Sequence, residues 1–135
     1  MRENVVILIV EDDEGHYILT KHCLRRADIS NEILWFSDGQ KALDFLYKQS
    51  DGAEFDEAKK YLMLLDIRLP KVDGIKTLET IKKDDKLQKI PVIMLTTSDD
   101  QLQARVCYEL GCDTHVIKPV GDVLIKAVQR AGQRL

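Results

Sequence analysis

Four short runs of Val, Ile and Leu without polar alternation are the feature that most constrains the fold of this chain. The runs cover residues 5–10, 61–65, 92–95 and 114–117, and a weaker candidate covers residues 32–36. Apolar character of this kind is typical of short strands that are buried on both faces of a parallel sheet. The chain is therefore predicted to build a sheet with helices on both sides.

Segments with helical spacing separate these runs, because apolar residues recur in them every three or four positions. The clearest examples are Ile18, Leu19, Cys23 and Ala27, and then Leu102, Val106 and Leu110. A last helix is predicted over residues 122–133. Strand and helix thus alternate five times, which predicts an α/β fold with a parallel sheet and right-handed crossovers.

Polar residues stand at the ends of the main runs. They are Glu11 and Asp12, Asp66, Thr96, and Lys118. In open parallel sheets, ligands bind outside the carboxyl ends of the strands. We therefore expect these side chains to converge at one edge of the sheet.

Length and composition limit the possible classes of protein. A chain of 135 residues suits one domain, residues 1–135, and after the last predicted helix it stops at Leu135, so no output domain is expected. No apolar run approaches the roughly 20 residues that cross a bilayer, and no signal peptide precedes the first strand, so a cytoplasmic protein with no membrane partner is expected. The net charge of −3 and the lack of a dense Lys/Arg run argue against nucleic-acid binding.

Two further features carry little functional information. Cys23, Cys107 and Cys112 form no CxxC pair, so they are interpreted as buried apolar thiols rather than as zinc ligands or disulfide partners. Residues 48–60 are polar and separate the second helix from the third strand by more than the usual few residues. Local disorder and a partner-binding extension are both consistent with that segment.

The three acidic residues predict a cation site. If the first and third strands are adjacent, Glu11, Asp12 and Asp66 lie within a few ångströms of one another. Two carboxylates ~4 Å apart repel by about 4 kcal/mol at an effective dielectric near 20, so three require a cation, a raised pKa, or both. Ligation by oxygen alone favours Mg²⁺, with Mn²⁺ as a possible substitute.

Simpler structural roles exist for the same residues. Asp12 and Asp13 would cap the first helix, Asp66 would cap a turn, and Lys118 would be a solvated surface lysine. The combination of three acids, a hydroxyl and a lysine at strand ends favours a functional site instead. Lys118 would then be a paired charge that also contacts phosphate oxygens, and Thr96 would supply a hydroxyl donor.

The motifs together resemble the response-regulator receiver domains of two-component signalling. They are Ile7 to Asp13, Leu64 to Gly74, Pro91 to Thr96, and Val116 to Pro119. The resemblance covers nearly the whole chain in the family's order. It implies a doubly wound, flavodoxin-like sheet of five parallel strands in the order 2-1-3-4-5. The long segment before the third strand further resembles the single-domain branch associated with phytochrome-type histidine kinases.

The resemblance also implies a mechanism. Asp66 would accept a phosphoryl group from the phosphohistidine of a sensor histidine kinase, for which the finer resemblance suggests the phytochrome type, or of a phosphotransfer protein. Asp12 would bind Mg²⁺ directly, Glu11 through water, and the backbone carbonyl of Arg68 would be a further ligand. Self-phosphorylation and autodephosphorylation at Asp66 would make the chain a signalling protein and not a turnover enzyme.

Switching would follow when the phosphoryl oxygens draw the Thr96 hydroxyl inward. In the family an aromatic residue on strand five fills the vacated space, whereas this chain has His115 there, either as a weaker and pH-sensitive switch or as a plain surface histidine. Arg68 is a second departure, and its guanidinium would either fold over the acidic site or point to solvent.

Other residues receive structural or peripheral roles. Gly74 is predicted to permit a tight turn after Pro70, and Lys118-Pro119 is a candidate cis bond. His16 and His22 are interpreted as facing solvent or the kinase, which would dock on helix one and the loop after Lys118. The face formed by helix four, strand five and helix five would report the switch or form a homodimer.

Competing functions are distinguishable. A haloacid-dehalogenase-like phosphohydrolase would need a second Asp two residues after the nucleophile, where Arg68 stands, and no GxGxxG or GxxxxGK[ST] motif supports nucleotide binding. The stronger rival is a receiver-fold binding module that acts independently of phosphorylation. A shuttle that passes the phosphoryl group to another histidine protein also stays open.

Overall fold

The computed structural model describes residues 4–49, 52 and 54–135. In these residues five strands alternate with five helices, as predicted. The elements are β1 Val5–Val10, α1 Glu14–Arg26, β2 Ile33–Phe36, α2 Gly39–Leu46, β3 Lys60–Asp66, α3 Gly74–Lys83, β4 Val92–Thr96, α4 Gln101–Glu109, β5 Thr114–Ile117 and α5 Asp122–Gln133.

The strands form one parallel sheet in the order β2-β1-β3-β4-β5, which confirms the predicted topology. Register places Val10 opposite both Phe36 of β2 and Leu65 of β3. β3 extends one residue beyond the predicted run at each end, and β4 extends one residue at its carboxyl end. At those carboxyl ends Asp66 pairs with Leu95, and Thr96 pairs with Ile117. Two of the predicted site residues are thus the last residues of their strands.

The sheet separates two hydrophobic cores. Alternate residues of β1 point to opposite faces, so Val6 and Leu8 enter one core and Ile7 and Ile9 enter the other. Helices α2, α3 and α4 cover the first core, and α1 and α5 cover the second. Burial on both faces explains why these strands lack polar alternation.

Helices α1 and α4 form in the predicted segments, with Ala27 and Leu110 as their C-caps. The apolar positions that identified these helices do not all enter the core. Ile18, Leu19 and Leu102 are 54%, 59% and 70% exposed. On α1 the fully buried positions are Thr20 and Leu24 instead. The periodicity therefore identified the helices correctly, whereas part of the apolar surface that it marked faces solvent.

Aspartates fix the starts of four helices. Asp13, Asp38, Asp73 and Asp100 are the N-caps of α1 to α4, and each carboxylate accepts a hydrogen bond from a backbone N–H of the first turn. Asp13 is therefore a cap, as the simpler interpretation held, but Asp12 is not. Its carboxylate stays available at the end of β1.

The long segment before β3 is anchored by Phe55. Its ring stacks on Tyr61 with a centroid separation of 4.8 Å, and the Asp56 N–H donates to the Tyr61 hydroxyl at 2.9 Å. Residues 50, 51 and 53 of this segment lie outside the described residues. Its role as a partner-binding extension stays a prediction.

Membrane insertion through a helix finds no support in the described residues. None of their helices combines the length and the apolar character needed to cross a bilayer.

Candidate functional site

The predicted polar residues meet at the carboxyl edge of the sheet. Glu11 and Asp12 follow β1, Asp66 ends the neighbouring β3, Thr96 ends β4, and Lys118 follows β5. Because all five strands are parallel, their carboxyl ends lie along the same edge. The fold thus brings together residues that are up to 107 positions apart in the chain.

The three acids form the expected cluster. Glu11, Asp12 and Asp66 offer carboxylate oxygens that all lie within 4.8 Å of one another. Glu11 and Asp66 are buried, while Asp12 is exposed, so the cluster is open to solvent on one side. An all-oxygen donor set with an open side suits a hard divalent cation such as Mg²⁺, which keeps several of its waters.

Lys118 supplies the opposing charge. Its ammonium donates to Glu11 Oε1 at 2.5 Å and to Asp66 Oδ2 at 3.2 Å, and its side chain is only 8% exposed. Burial disfavours the charged ammonium, but the bond to Glu11 and the nearby negative charges outweigh burial and raise the pKa of Lys118. Lys118 is therefore the paired charge that the sequence predicted, not a solvated surface lysine.

The pKa of Glu11 is strongly perturbed. Burial, together with the hydrogen bond and negative charge of Asp66, raises the pKa of Glu11 to about 7 against the lowering effect of Lys118. One ammonium does not neutralise three neighbouring carboxylates. Without metal, Glu11 therefore keeps its proton to a higher pH than an isolated glutamate does.

Thr96 is buried but its hydroxyl does not point at the acids. It donates to Gln103 Oε1 of α4 at 3.3 Å and accepts from the Ser98 N–H at 3.1 Å. The helix after β4 starts at Gln101 with Asp100 as its cap, so Thr96 is not a helix-start residue. Gln103 is a partner of Thr96 that the sequence did not indicate.

His115 lies on β5 opposite Met94 and is partly buried. Its Nε2 is buried and has no hydrogen-bond partner among the described residues, and burial lowers the pKa of His115. Its backbone N–H donates to the hydroxyl of Tyr108, which is half exposed on α4. The imidazole is therefore not a plain surface histidine, while a switching role stays a prediction.

Arg68 is exposed, and none of the described carboxylates lies within 4 Å of its guanidinium. This favours the interpretation in which its side chain points to solvent. Arg68 stands two residues after Asp66, the last residue of β3. Metal ligation through the Arg68 carbonyl stays a prediction.

Gly74 is needed for a different reason from the one predicted. It is the first residue of α3, and a Cβ there would collide with the Asp66 carbonyl oxygen and approach Ile67 Cα to 2.7 Å. In the turn after Pro70 the left-handed residue is Lys71, with φ of 65°. Gly74 therefore permits close packing of α3 on the end of β3. The Lys118-Pro119 bond is cis, as predicted.

His16 and Trp35 are contacts that the sequence analysis missed. His16 Nδ1 lies 3.1 Å from Lys118 Nζ and 3.8 Å from Glu11 Oε1, so this histidine touches the site although its side chain is 43% exposed. The Trp35 indole N–H donates to the Glu11 carbonyl oxygen at 2.7 Å. The position of His16 in the first turn after the β1 acids was an available signal, whereas Trp35 offered none without the strand register.

A cleft of about 760 Å³ adjoins the site on the α1 side. It lies between α1 and the segment that follows Lys118, and its lining includes His16, Leu19, His22, Lys118 and Pro119. The surface predicted for docking is therefore concave, partly apolar, and continuous with the lysine of the site.

Comparison with known proteins gives a consistent result. The family model for the response regulator receiver domain matches residues 7–129. The chain is 36% identical over 113 residues to the response regulator Rcp1 of Synechocystis sp., covering 84% of this chain and 76% of that protein.

Two solved structures are similar over nearly the whole chain. The bacteriophytochrome response regulator AtBRR has a TM-score of 0.77 at 37% identity, covering 94% of this chain and 91% of that one. The Mn²⁺-bound form of Rcp1 has a TM-score of 0.74 at 34% identity, covering 93% and 89%. The second of these structures therefore contains a divalent cation of its own.

Proposed function

The chain belongs to the response regulator receiver family, and on that premise we propose that Asp66 accepts a phosphoryl group from the phosphohistidine of a partner protein. The observation that carries the proposal is the meeting of Asp66 with two further acids and the buried Lys118 ammonium at one edge of the sheet. Phosphoryl transfer depends on positioning and on opposing charge more than on covalent catalysis, and this arrangement supplies both.

The reaction needs few protein groups. A carboxylate oxygen of Asp66 forms a bond to phosphorus while the bond between phosphorus and the donor's imidazole nitrogen breaks, and the imidazole leaves. Lys118, already 3.2 Å from Asp66 Oδ2, stays within reach of the incoming phosphoryl oxygens. Thr96 would exchange its bond to Gln103 for one to the phosphoryl group and, with His115, would form the switch.

The acids would hold the cation. Asp12 and Asp66 would ligate Mg²⁺ directly, Glu11 through water, and Arg68 through its backbone carbonyl. When bound, the cation neutralises the negative charge that builds up on the transferred group. The all-oxygen donor set and the spacing of the carboxylates fit this assignment.

Intact-mass analysis after incubation with acetyl phosphate tests the proposal. We expect a single phosphoryl adduct that requires Mg²⁺ and is lost in Asp66→Asn. Asp56→Asn is a matched control, since Asp56 lies outside the site and accepts from Ala58 in a surface turn. Failure of the wild type to form an adduct would favour the receiver-fold binding module that acts independently of phosphorylation.

We propose that the phosphoryl donor docks in the cleft beside α1. Receiver domains interact with histidine kinases or phosphotransfer proteins, and the similarity to AtBRR supports a phytochrome-type kinase as the donor here. Leu19 lines the cleft and is 59% exposed, so an apolar surface is available for a partner.

Leu19→Asp should slow transfer from a protein donor and leave labelling by acetyl phosphate unchanged. Leu102→Asp, on the exposed side of α4, is the matched control.

The α4-β5-α5 face is the proposed output surface. Leu102 and Val106 on α4 and Ile117 on β5 are 70%, 41% and 47% exposed. A homodimer through this face would bury them. Sedimentation with and without beryllofluoride tests whether this homodimer forms. A monomer under both conditions would mean that this face binds a different protein. That outcome is the same whether the chain acts as an effector or as a shuttle.

A further inference from the structure

The chain's single tryptophan lies against the backbone of the site. Trp35 is on the edge strand β2, opposite Ile9 of β1, and its side chain is on the face of the sheet that α1 covers. Its indole N–H donates to the carbonyl oxygen of Glu11 at 2.7 Å. That distance lies at the short end of the range for N–H···O bonds.

The bond is made where the strand pairing runs out. The Glu11 N–H still donates to the Phe36 carbonyl at 3.0 Å, as a continuation of the β1-β2 ladder. The Glu11 carbonyl lies beyond that ladder and accepts from the indole instead. Both polar groups of the Glu11 backbone are therefore held by β2, one by the main chain and one by a side chain.

Fixing this carbonyl also fixes the start of Asp12. The Glu11 carbonyl and the Asp12 N–H belong to one planar peptide unit, so rotation of that unit moves the Cα of Asp12 and its carboxylate. Asp12 is the exposed acid of the cluster and has no hydrogen bond of its own to hold it among the described residues. Its direction therefore depends on the backbone before it.

The indole is itself held in place. Its ring stacks on Tyr17 of α1 with centroids 4.3 Å apart and an interplanar angle of 4°. Tyr17 in turn donates its backbone N–H to the carbonyl of Asp13, the residue after Asp12. The stack thus joins both sides of the Glu11-Asp12-Asp13 turn to one rigid aromatic pair.

We propose that Trp35 is a positioning residue for the metal-binding acids, which it orients through its hydrogen bond to the Glu11 carbonyl. The inference rests on the proposed function, because it assumes that the acids bind a divalent cation. It assigns to β2 a part in the site that its position at the edge of the sheet would not suggest.

Trp35→Phe tests the proposal, since phenylalanine can keep an aromatic contact with Tyr17 but removes the N–H. Mg²⁺ affinity measured by calorimetry should fall roughly three- to tenfold, the effect of losing one neutral hydrogen bond. Tyr17→Phe keeps the stack and the indole bond, so its affinity should equal that of wild type. Replacing the single tryptophan with the isosteric β-(3-benzothienyl)alanine removes the N–H while keeping the bicyclic ring, and should weaken binding by the same factor.

The outcomes separate this inference from the proposed function. If wild type and both N–H-deleted proteins bind Mg²⁺ equally well, the positioning role is overturned and the proposed function stands. A lower unfolding temperature without metal, combined with unchanged Mg²⁺ affinity, would mean a purely structural role and would also overturn it. If wild type itself binds no Mg²⁺, the metal assignment of the proposed function fails, and the positioning role fails with it.

Discussion

At the scale of single residues, the site is defined by an imbalance of charge. Three carboxylates face one ammonium, and the two buried acids Glu11 and Asp66 both hydrogen bond to it. Removing one partner of such a buried pair is costly because the other charge is left uncompensated. The surplus negative charge contributes to the raised pKa of Glu11, which makes stability depend on pH.

The raised pKa of Glu11 gives that dependence a definite sign. A carboxyl with a pKa of about 7 when folded and 4.5 when unfolded binds a proton more tightly in the native state. Its contribution to stability is complete below pH 4.5 and is lost as pH rises towards 7. Without divalent metal, the free energy of unfolding of wild type should fall by about 1 to 3 kcal/mol relative to Glu11→Gln across that range.

Urea denaturation in a chelating buffer between pH 5 and 8 measures this difference. Gln keeps an oxygen that can accept from Lys118 but cannot titrate, so it removes the pH-dependent part alone. Parallel pH profiles for the two proteins would contradict a raised pKa at Glu11.

His115 should behave in the opposite way. Burial lowers its pKa and its Nε2 has no partner among the described residues, so the unfolded chain binds the proton more readily. Stability should therefore fall as pH drops below about 6.5. Removing an unsatisfied buried nitrogen should make His115→Phe about 1 to 2 kcal/mol more stable at pH 7, with a larger difference at pH 5.5.

Thermal unfolding at the two pH values checks the prediction for His115. His22→Phe, at an exposed position of α1, should change stability by less than about 0.5 kcal/mol at either pH. A His115→Phe protein that is less stable than wild type at both values would show that the imidazole is well accommodated.

At the scale of elements, the join between β3 and α3 leaves no room for a side chain at Gly74. A Cβ there would press on the carbonyl of Asp66 itself. Gly74→Ala should destabilise the protein by about 2 kcal/mol, as overpacking does, and should reduce labelling of Asp66 by acetyl phosphate. Gly121→Ala is the control, because nothing lies within 4 Å of the added Cβ and its φ of −170° suits any residue.

The contact between β4 and α4 gives another prediction. The Thr96 hydroxyl donates to Gln103 Oε1, and under the proposed function it would have to leave this acceptor to reach a phosphoryl group. Gln103→Ala removes the competing acceptor, so beryllofluoride should bind about two- to fivefold more tightly, within the range of one weak hydrogen bond. The double variant that combines Gln103→Ala with Thr96→Ala should not show this gain in affinity. Equal affinity of Gln103→Ala and wild type would show that Gln103 does not restrain Thr96.

Most elements could be predicted from sequence because burial on both faces leaves an unmistakable composition. The β1 run is wholly buried and its predicted limits are unchanged in the structure. The weaker β2 is an edge strand with only partial burial, which explains its mixed pattern. The exposed apolar residues of α1 could not be told from core residues, because periodicity reports a stripe and not what covers it.

The site was predictable to the extent that chain direction places strand ends together. Glu11, Asp12, Asp66 and Lys118 all follow from that rule. That rule does not predict which of several nearby groups a side chain will hydrogen bond to. The bond from Thr96 to Gln103 depends on how α4 packs, and the role of Gly74 depends on a backbone approach invisible in the sequence.

At the scale of the whole molecule, a bound cation should stabilise the native state as a ligand. At one hundred times its Kd, Mg²⁺ should add about 2.7 kcal/mol to the free energy of unfolding. Asp12→Ala should abolish this gain but cost little stability without metal, because Asp12 is exposed. Glu14→Ala, an exposed acid in the first turn of α1, should keep the full gain. Thermal unfolding with and without Mg²⁺ measures this gain. If Mg²⁺ raises the unfolding temperature of Asp12→Ala as much as that of wild type, Asp12 is not a ligand.

The reach of Lys118 has a mechanical consequence. β5 is an edge strand paired with β4 alone, yet the lysine that follows it reaches across the end of β4. It contacts Glu11, which follows β1, and Asp66, which ends β3. The lysine side chain thus links the edge of the sheet mechanically to its centre. A group that draws the ammonium away from Glu11 and Asp66 would therefore loosen the end of β5. The rate of amide hydrogen exchange at the end of β5 would measure this loosening directly. In Lys118→Ala the same rate would show how fast β5 opens without the link.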